Sequence, residues 1–180
     1  MWGDSPPETL EAFRAWWLTA PALGTGGFPR IAPRGHANAR LMVVVPDPES
    51  GDSDTLLSGP QGRLLTAILG AMGLAAEDCY LASALPRHTP MADLAGLASS
   101  GLDTVTMHHI ALVAPQQVVM FGQGLSAFVP AAGHDGNHGL RGLHRTGANP
   151  PVLITETLES MLDMPRLKAR FWRRWMDFSA

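Results

Sequence analysis

The apolar residues of this chain fall into short continuous runs, separated by segments in which apolar residues recur with helical spacing. Four runs have few polar positions and no strict alternation, which is typical of strands covered on both faces of a sheet. They lie at Leu41 to Val45, Tyr80 to Leu85, residues 116 to 122 and Val152 to Thr155. The pattern therefore predicts four buried strands.

Between and around these runs, spacings of three and four residues predict amphipathic helices. The predicted helices cover residues 6 to 19, Gly62 to Met72 with a stop at Gly73, residues 100 to 114, a short segment from Leu125, and a last helix from about Pro165. Strands and helices alternate, and their connections are too short for two separate cores. We therefore expect a three-layer α/β/α sandwich with a mainly parallel, four-stranded central sheet.

Length and composition agree with one domain. The chain has 180 residues, of which 46% are hydrophobic and 16% charged, as in a globular protein. We expect residues 1 to 34 to form an N-terminal helix and a Gly/Pro-rich connector, and residues 35 to 180 to form the α/β core. No stretch is apolar enough to cross a membrane and the first residues lack a secretory pattern, so a cytoplasmic location is expected.

Cysteine content and charge limit the chemistry further. Cys79 is the only cysteine, which excludes an internal disulfide or a four-cysteine cluster within one chain, and we expect no cofactor. Its apolar neighbours predict a buried, inert thiol. The net charge of −3 gives no overall attraction to nucleic acid. Basic residues nevertheless concentrate near the end of the chain, at Arg166, Lys168, Arg170, Arg173 and Arg174.

Functional groups of parallel α/β sheets gather beyond the carboxyl ends of the strands. The loop after the first strand, "PDPESGDSD", is crowded with prolines and carboxylates and leads to "SGPQGR" at the start of a helix. Backbone N–H groups at such a start can cradle an anion such as phosphate, although a well-started helix with no ligand explains the same pattern. Two interpretations of this segment therefore stay open.

Several segments, in unbroken order from about residue 35 to about residue 175, match a known family. "ARLMVVVPDP" corresponds to a strand ending in Gly-Glu-Ala-Pro-Gly, and "LLSGPQGRLLTAILGAMGL" to Pro-Phe-Val-Gly-x-Ala-Gly with a leucine-rich helix. "DCYLASALP" matches a Tyr-x-x-Asn strand; "APQQVVMFGQGLSAFV", "LRG" and "LITETLESMLDMPRLKARFW" match the later elements. The chain thus resembles the uracil-DNA glycosylase superfamily, most closely the family 4 type that carries an iron-sulfur cluster.

The resemblance implies where a base pocket would lie. In that family a carboxylate handles the attacking water, an aromatic ring stacks on the flipped uracil, an Asn reads its edge, and a His stabilises the leaving base. These positions fall here on Pro46, Leu57, Ser83 and Thr157. The intervening loop is shorter than the family's, so Asp47 is the candidate to replace the missing carboxylate.

These replacements imply loss of the usual chemistry. Loss of the base-reading amide and of the imidazole alone would remove on the order of a hundred-thousandfold in rate. The cluster cysteines are absent as well, and Trp17 and Ala20 stand roughly where the first pair would fall. Asp163 replaces an arginine that would face phosphate. We therefore expect a degenerate uracil-DNA glycosylase-like protein that binds single- or double-stranded DNA or a protein partner.

Two alternatives remain. The first is a divergent, active DNA glycosylase in which Asp47 orients water and Ser83 reads an altered base. The second is a structural or assembly subunit that uses the terminal helices, where Trp16, Trp17, Trp172 and Trp175 either pack into the core or form a partner surface. Candidate anion or nucleic-acid contacts are Ser58, Gly59, Arg63, Gly122, Arg141, His144 and Arg145.

Two other arrangements are weighed and not favoured. His134, His138 and His144 share one loop, but its glycines argue against the helix that would align them, so no metal site is expected. Ser83 and His88 could form part of a nucleophilic site, yet no Gly-x-Ser-x-Gly elbow supports it.

Overall fold

Four parallel strands form the centre of the molecule. The computed structural model describes residues 2, 5 to 130 and 149 to 180. The strands are β1 (Leu41–Val45), β2 (Cys79–Ser83), β3 (Gln117–Phe121) and β4 (Val152–Thr155), in the order β2-β1-β3-β4. Each of the three pairings is parallel. The predicted four-stranded sheet is confirmed, and within the described residues it is parallel throughout rather than mainly parallel.

Helices cover both faces of this sheet. The α-helices of the described residues are α1 (Leu10–Thr19), α2 (Pro60–Ala71), α3 (Leu94–Leu97), α4 (Asp103–Val113), α5 (Leu158–Asp163) and α6 (Pro165–Ser179). Along β1, Met42 and Val44 pack in one core cluster with α1 and α4, whereas Leu41, Val43 and Val45 pack in the other with α2, α5 and α6. This alternation confirms the expected sandwich of three layers.

Capping explains where the helix boundaries differ from the predicted ones. α1 begins at Leu10 rather than at residue 6, because the Thr9 hydroxyl accepts a hydrogen bond from Ala12 N at 3.1 Å and ends the preceding Pro-rich segment. α2 begins at Pro60, two residues before the predicted start, with proline suited to the first turn. The short helices α3 and α5 were not predicted, since four and six residues carry too little periodicity.

The N-terminal helix α1 packs against a buried polar pair of the core, formed by Tyr80 and His109. Tyr80 Oη lies 2.8 Å from His109 Nε2, and the Phe13 ring stacks on the imidazole at 4.0 Å between centroids. His109 is 3% exposed. Burial lowers the pKa of His109 to about 3, with smaller contributions from the charges of Arg14 and His108. The imidazole is therefore neutral in the folded protein at ordinary pH.

The cysteine and one terminal tryptophan are buried as predicted. Cys79 lies in β2, where burial raises the pKa of its thiol to about 11. Trp17 is buried and donates from Nε1 to the carbonyl of Ile31 at 2.9 Å. Trp16, Trp172 and Trp175 are only partly buried at the edges of the two clusters. Core packing thus accounts fully for Trp17 and partly for the other three.

Candidate functional site

The carboxyl ends of β1, β3 and β4 come close together at one edge of the sheet. The backbone N–H of Gly122, directly after β3, donates to the carbonyl of Thr155 at 2.9 Å. A Cβ on Gly122 would lie 3.0 Å from Cγ of Pro46, and its φ of +154° is one that side chains rarely adopt. Gly122 therefore permits the close approach between the strand ends that brings Pro46 beside β3.

The loop after β1 is organised by the Asp52 carboxylate. Its Oδ2 accepts hydrogen bonds from the backbone N–H groups of Glu49 at 2.9 Å and Leu57 at 2.8 Å. Its Oδ1 accepts from the backbone N–H of Ser58 at 2.8 Å and from the Ser58 hydroxyl at 2.6 Å. Asp52 is itself buried. Charge-assisted bonds of this kind are about twice as strong as neutral ones, so Asp52 holds the loop in one conformation.

A second carboxylate fills the predicted anion cradle. Glu49 is buried and accepts from the backbone N–H groups of Gly59 at 2.9 Å, Gln61 at 2.9 Å and Gly62 at 3.3 Å. These are the backbone N–H groups at the start of α2 that the sequence analysis considered as a binding site for phosphate. An external anion would have to displace the carboxylate of Glu49 to reach them. Arg63, the candidate contact beside them, is exposed to solvent.

Three of the five base-pocket positions serve the internal structure of the protein. Leu57 is 4% exposed and packs in the core cluster under α2, with a left-handed φ of +57°. Ser83 is 5% exposed and its hydroxyl donates to the carbonyl of Leu85 at 2.7 Å. The Thr157 hydroxyl caps α5, accepting from the backbone N–H of Ser160 at 3.1 Å. Each of these three side chains therefore already has partners within the protein.

Asp47 is paired with a histidine from the neighbouring strand end. Its Oδ2 accepts from the backbone N–H of Thr89 at 2.8 Å and lies 3.0 Å from Nδ1 of His88, and both side chains are 23% exposed. Burial raises the pKa of the Asp47 carboxyl, and the charge of Glu159 adds to this against the hydrogen bond from Thr89 and the charge of His88. Asp47 is thus a half-buried carboxylate beside an imidazole.

The surroundings of His88 orient its ring. Nδ1 faces two acceptors, Asp47 and the carbonyl of Pro48 at 3.0 Å, so it carries the proton and the neutral ring has its lone pair on Nε2. The edge of the Phe28 ring packs against it at 4.8 Å between centroids. Ser83 donates to the carbonyl of Leu85 and not to His88, so within the described residues the carboxylate that the imidazole meets is that of Asp47.

The acidic residue after β4 neutralises part of the C-terminal basic cluster. Glu156 lies 3.0 Å from Nη1 of Arg170 and 3.9 Å from Nη1 of Arg174. Burial raises the pKa of this carboxyl, but hydrogen bonds from Thr155 and Arg170 outweigh it, so the pKa is lowered overall. These two arginines therefore serve an ion pair on the protein itself.

The remaining predicted contacts fall on the chain between β3 and β4. Arg141, His144 and Arg145, together with His134 and His138, lie outside the described residues. In the described part of the chain, no three His, Cys, Asp or Glu side chains are placed to share a metal ion. No helix found in the same part is both long and apolar enough to span a bilayer.

The fold is that of an α/β protein with a parallel sheet, and the carboxyl ends of the strands form the candidate site. The family model of the Uracil DNA glycosylase superfamily matches residues 32–178. The chain belongs to this superfamily, as its motifs predicted. No curated protein matches the chain. The assignment to the family 4 type stays a prediction, and its four-cysteine cluster does not fit a chain whose one cysteine is buried in β2.

Sequence reasoning missed three residues of this edge. Glu49 and Asp52 were seen only as part of an acidic loop, although carboxylates shortly before a Gly-Pro helix start are a recognisable capping signal. His88 was considered only with Ser83. Its pairing with Asp47 joins the ends of two strands that are adjacent in the sheet but not in the chain, so no local pattern reveals it.

Proposed function

We propose that this protein is a uracil-DNA glycosylase-like binding module that does not excise uracil by the superfamily's usual route. The observation that carries the proposal is the internal use of Leu57, Ser83 and Thr157, the positions of the ring, the amide and the imidazole. A flipped base would find no stacking ring, no amide and no imidazole at these three positions. Catalysis by that route needs all three, since each is aimed at the base in the transition state.

Nucleic acid is the proposed ligand because the superfamily acts on DNA and the strand ends remain its candidate contact. Ser58 and Arg63 are exposed beside the loop that Asp52 holds in one conformation, whereas Gly122, at the end of the adjacent β3, is buried. An exposed arginine on a rigid helix start is suited to a phosphate contact that does not depend on base identity. Arg63 is the side chain from which we expect such a contact.

Binding and excision can be followed in one experiment. A labelled single-stranded oligonucleotide containing uracil is titrated with the protein at several salt concentrations, and the mixture is then analysed for released uracil. We expect binding that weakens steeply as salt rises, because phosphate contacts release counterions, and we expect no uracil release above background. Arg63→Gln should reduce the salt slope by about one.

Arg40→Gln is the matched control, since Arg40 is also exposed but directly precedes β1, at the opposite end of the sheet. Its salt slope should equal that of the unchanged protein. Salt-independent binding, or none, would instead favour a structural subunit that meets a protein partner through its terminal helices, where Met176 is 65% exposed. Uracil release that Asp47→Asn abolishes would overturn the proposal.

The pair of Asp47 and His88 favours a second candidate, a glycosylase acting on a base other than uracil. With Nδ1 held by Asp47, the Nε2 lone pair of His88 can take a proton from a water whose oxygen bonds to C1′ of the sugar as the N-glycosidic bond breaks. The leaving base departs with the bonding electrons and is protonated from solvent. Ser83 contributes nothing to base reading in this geometry, because its buried hydroxyl donates to the carbonyl of Leu85.

A screen of oligonucleotides with deaminated or alkylated bases tests this candidate. If it holds, one substrate should lose its base, His88→Gln should slow the reaction by about a hundredfold or more, and Asp47→Asn should slow it too. Both variants should melt close to the unchanged protein, since each side chain is partly exposed. A screen that stays blank at high protein concentration, or equal rates in the His88→Gln variant, would exclude the pair as catalytic residues.

A further inference from the structure

A cavity beside the end of β2 adjoins the predicted base-pocket positions, although none of them lines it. It has a volume of about 300 Å3 and lies between the turn after α1 and the segment that leads from β2 to α4. Buried Leu85 and Leu102 form an apolar part of its wall, and Thr25, Arg87 and Thr89 supply polar atoms. Such a lining suits a ligand with an apolar body and one polar end.

Two arginines come together next to this cavity. Nη2 of Arg30 donates to the carbonyls of Ala20 at 2.7 Å and Gly24 at 2.8 Å, and Nη2 of Arg87 reaches the same Gly24 oxygen at 3.4 Å. The two guanidinium groups therefore lie side by side. Burial lowers the pKa of Arg30, and the positive charge of Arg87 lowers it further. Among the ion pairs of the described residues, none includes either arginine.

Of the two, Arg87 is the one with spare hydrogen-bonding capacity. Arg30 makes a third bond, to the carbonyl of Trp17 at 3.1 Å, and is fixed by the backbone. Arg87 has one long bond to Gly24, and its buried Nε has no hydrogen-bond partner within the described structure. A carboxylate or phosphate bound by the Nη atoms of this guanidinium would offset the repulsion from Arg30.

We propose that this cavity binds a small organic anion, a carboxylate or a phosphate monoester, with its charged group on Arg87 and its apolar body against Leu85 and Leu102. The volume sets the size of the ligand, because small-molecule pockets begin at roughly 300 Å3. The ligand is therefore no larger than a mononucleotide. The site does not depend on DNA binding or base excision at the strand ends.

The probe for this site is 8-anilinonaphthalene-1-sulfonate, a rigid aromatic anion whose fluorescence rises in an apolar pocket. We expect the folded protein to bind this probe and Arg87→Gln to weaken binding by about tenfold. Arg87→Lys keeps the charge but not the paired N–H donors of the guanidinium, so its affinity for the probe should lie between the two. Arg34→Gln is the control, because Arg34 lines a different cavity of about 310 Å3 and should leave binding unchanged. Circular dichroism of each variant confirms that it is folded.

Competition identifies the class of ligand. Benzoate and adenosine 5′-monophosphate should displace the probe, whereas adenosine, which lacks the charge, should not. If only a 5′-phosphorylated oligonucleotide displaces the probe, the bound anion is the 5′-phosphate of a nucleic-acid strand and not a free small molecule. Equal binding by Arg87→Gln, loss of binding in Arg34→Gln, or displacement by adenosine would overturn the proposal. If Arg87→Gln does not fold, unchanged binding by Arg87→Lys and by the Arg34 control overturns it equally.

Discussion

Gly62→Ala is expected to destabilise the protein by about 3 kcal/mol or more, while Gly70→Ala on the same helix is expected to stabilise it by about 0.5 to 1 kcal/mol. A Cβ on Gly62 would lie only 1.7 Å from the carbonyl oxygen of Leu57, which is backbone and cannot rotate away. A Cβ on Gly70 meets nothing within 4 Å. There, alanine only lowers the entropy of the unfolded chain and favours the helix.

Urea unfolding of the two variants measures this difference directly. The midpoint should fall for Gly62→Ala and rise slightly for Gly70→Ala, with similar m-values if both remain two-state. Any relief of the clash must move Leu57, and with it the Asp52 bonds that hold the loop of the candidate site. Equal stability of the two variants would show that α2 does not start against Leu57 as described.

Acid is expected to destabilise the unchanged protein more steeply than a His109→Gln variant. The pKa of His109 is about 3 in the folded protein and 6.5 in the unfolded chain, so between these values the unfolded chain binds a proton that the folded protein does not. Its stabilising contribution is complete above about pH 6.5 and is lost as the pH falls toward 3. The loss from this one group approaches about 1.4 kcal/mol per pH unit in that window.

The measurement is the free energy of unfolding at several pH values from 7 down to 4. At pH 7 the His109→Gln variant is expected to be the less stable, because it loses the ring that stacks on Phe13. As the pH falls, the difference in the free energy of unfolding between the two proteins should become smaller. His36→Gln, at an exposed histidine, serves as the control and should keep the full acid slope. Parallel pH curves for the unchanged protein and His109→Gln would contradict the buried neutral imidazole.

The sheet and the longer helices were predictable because burial leaves a pattern in the sequence. A strand covered on both faces, such as Leu41–Val45, needs apolar residues at each position, and a helix with one buried face repeats them every three or four residues. The short helix Leu158–Asp163 escaped because its stability depends on the Thr157 cap and on packing against α6. Too few residues carry its periodicity.

For the candidate site, too, some features follow from the sequence and others only from the fold. By itself the sequence determined the α/β class, the superfamily and the single cysteine, because each is a matter of residue type and order along the chain. It also predicted replaced functional residues at Pro46, Leu57, Ser83 and Thr157. These features follow from local patterns that need no distances. The predicted replacements are the basis for the proposal that the protein does not excise uracil by the superfamily's usual route.

Only the tertiary structure decided what the remaining polar groups do. It placed the Glu49 carboxylate on the helix start that the sequence left open to phosphate, and it turned Leu57 into the core. It also paired Asp47 with His88 and brought the like charges of Arg87 and Arg30 close together. The physical reason is that hydrogen bonds and charges act over a few ångströms in space. Two side chains on neighbouring strand ends or loops meet in the fold, however many residues separate them in the chain.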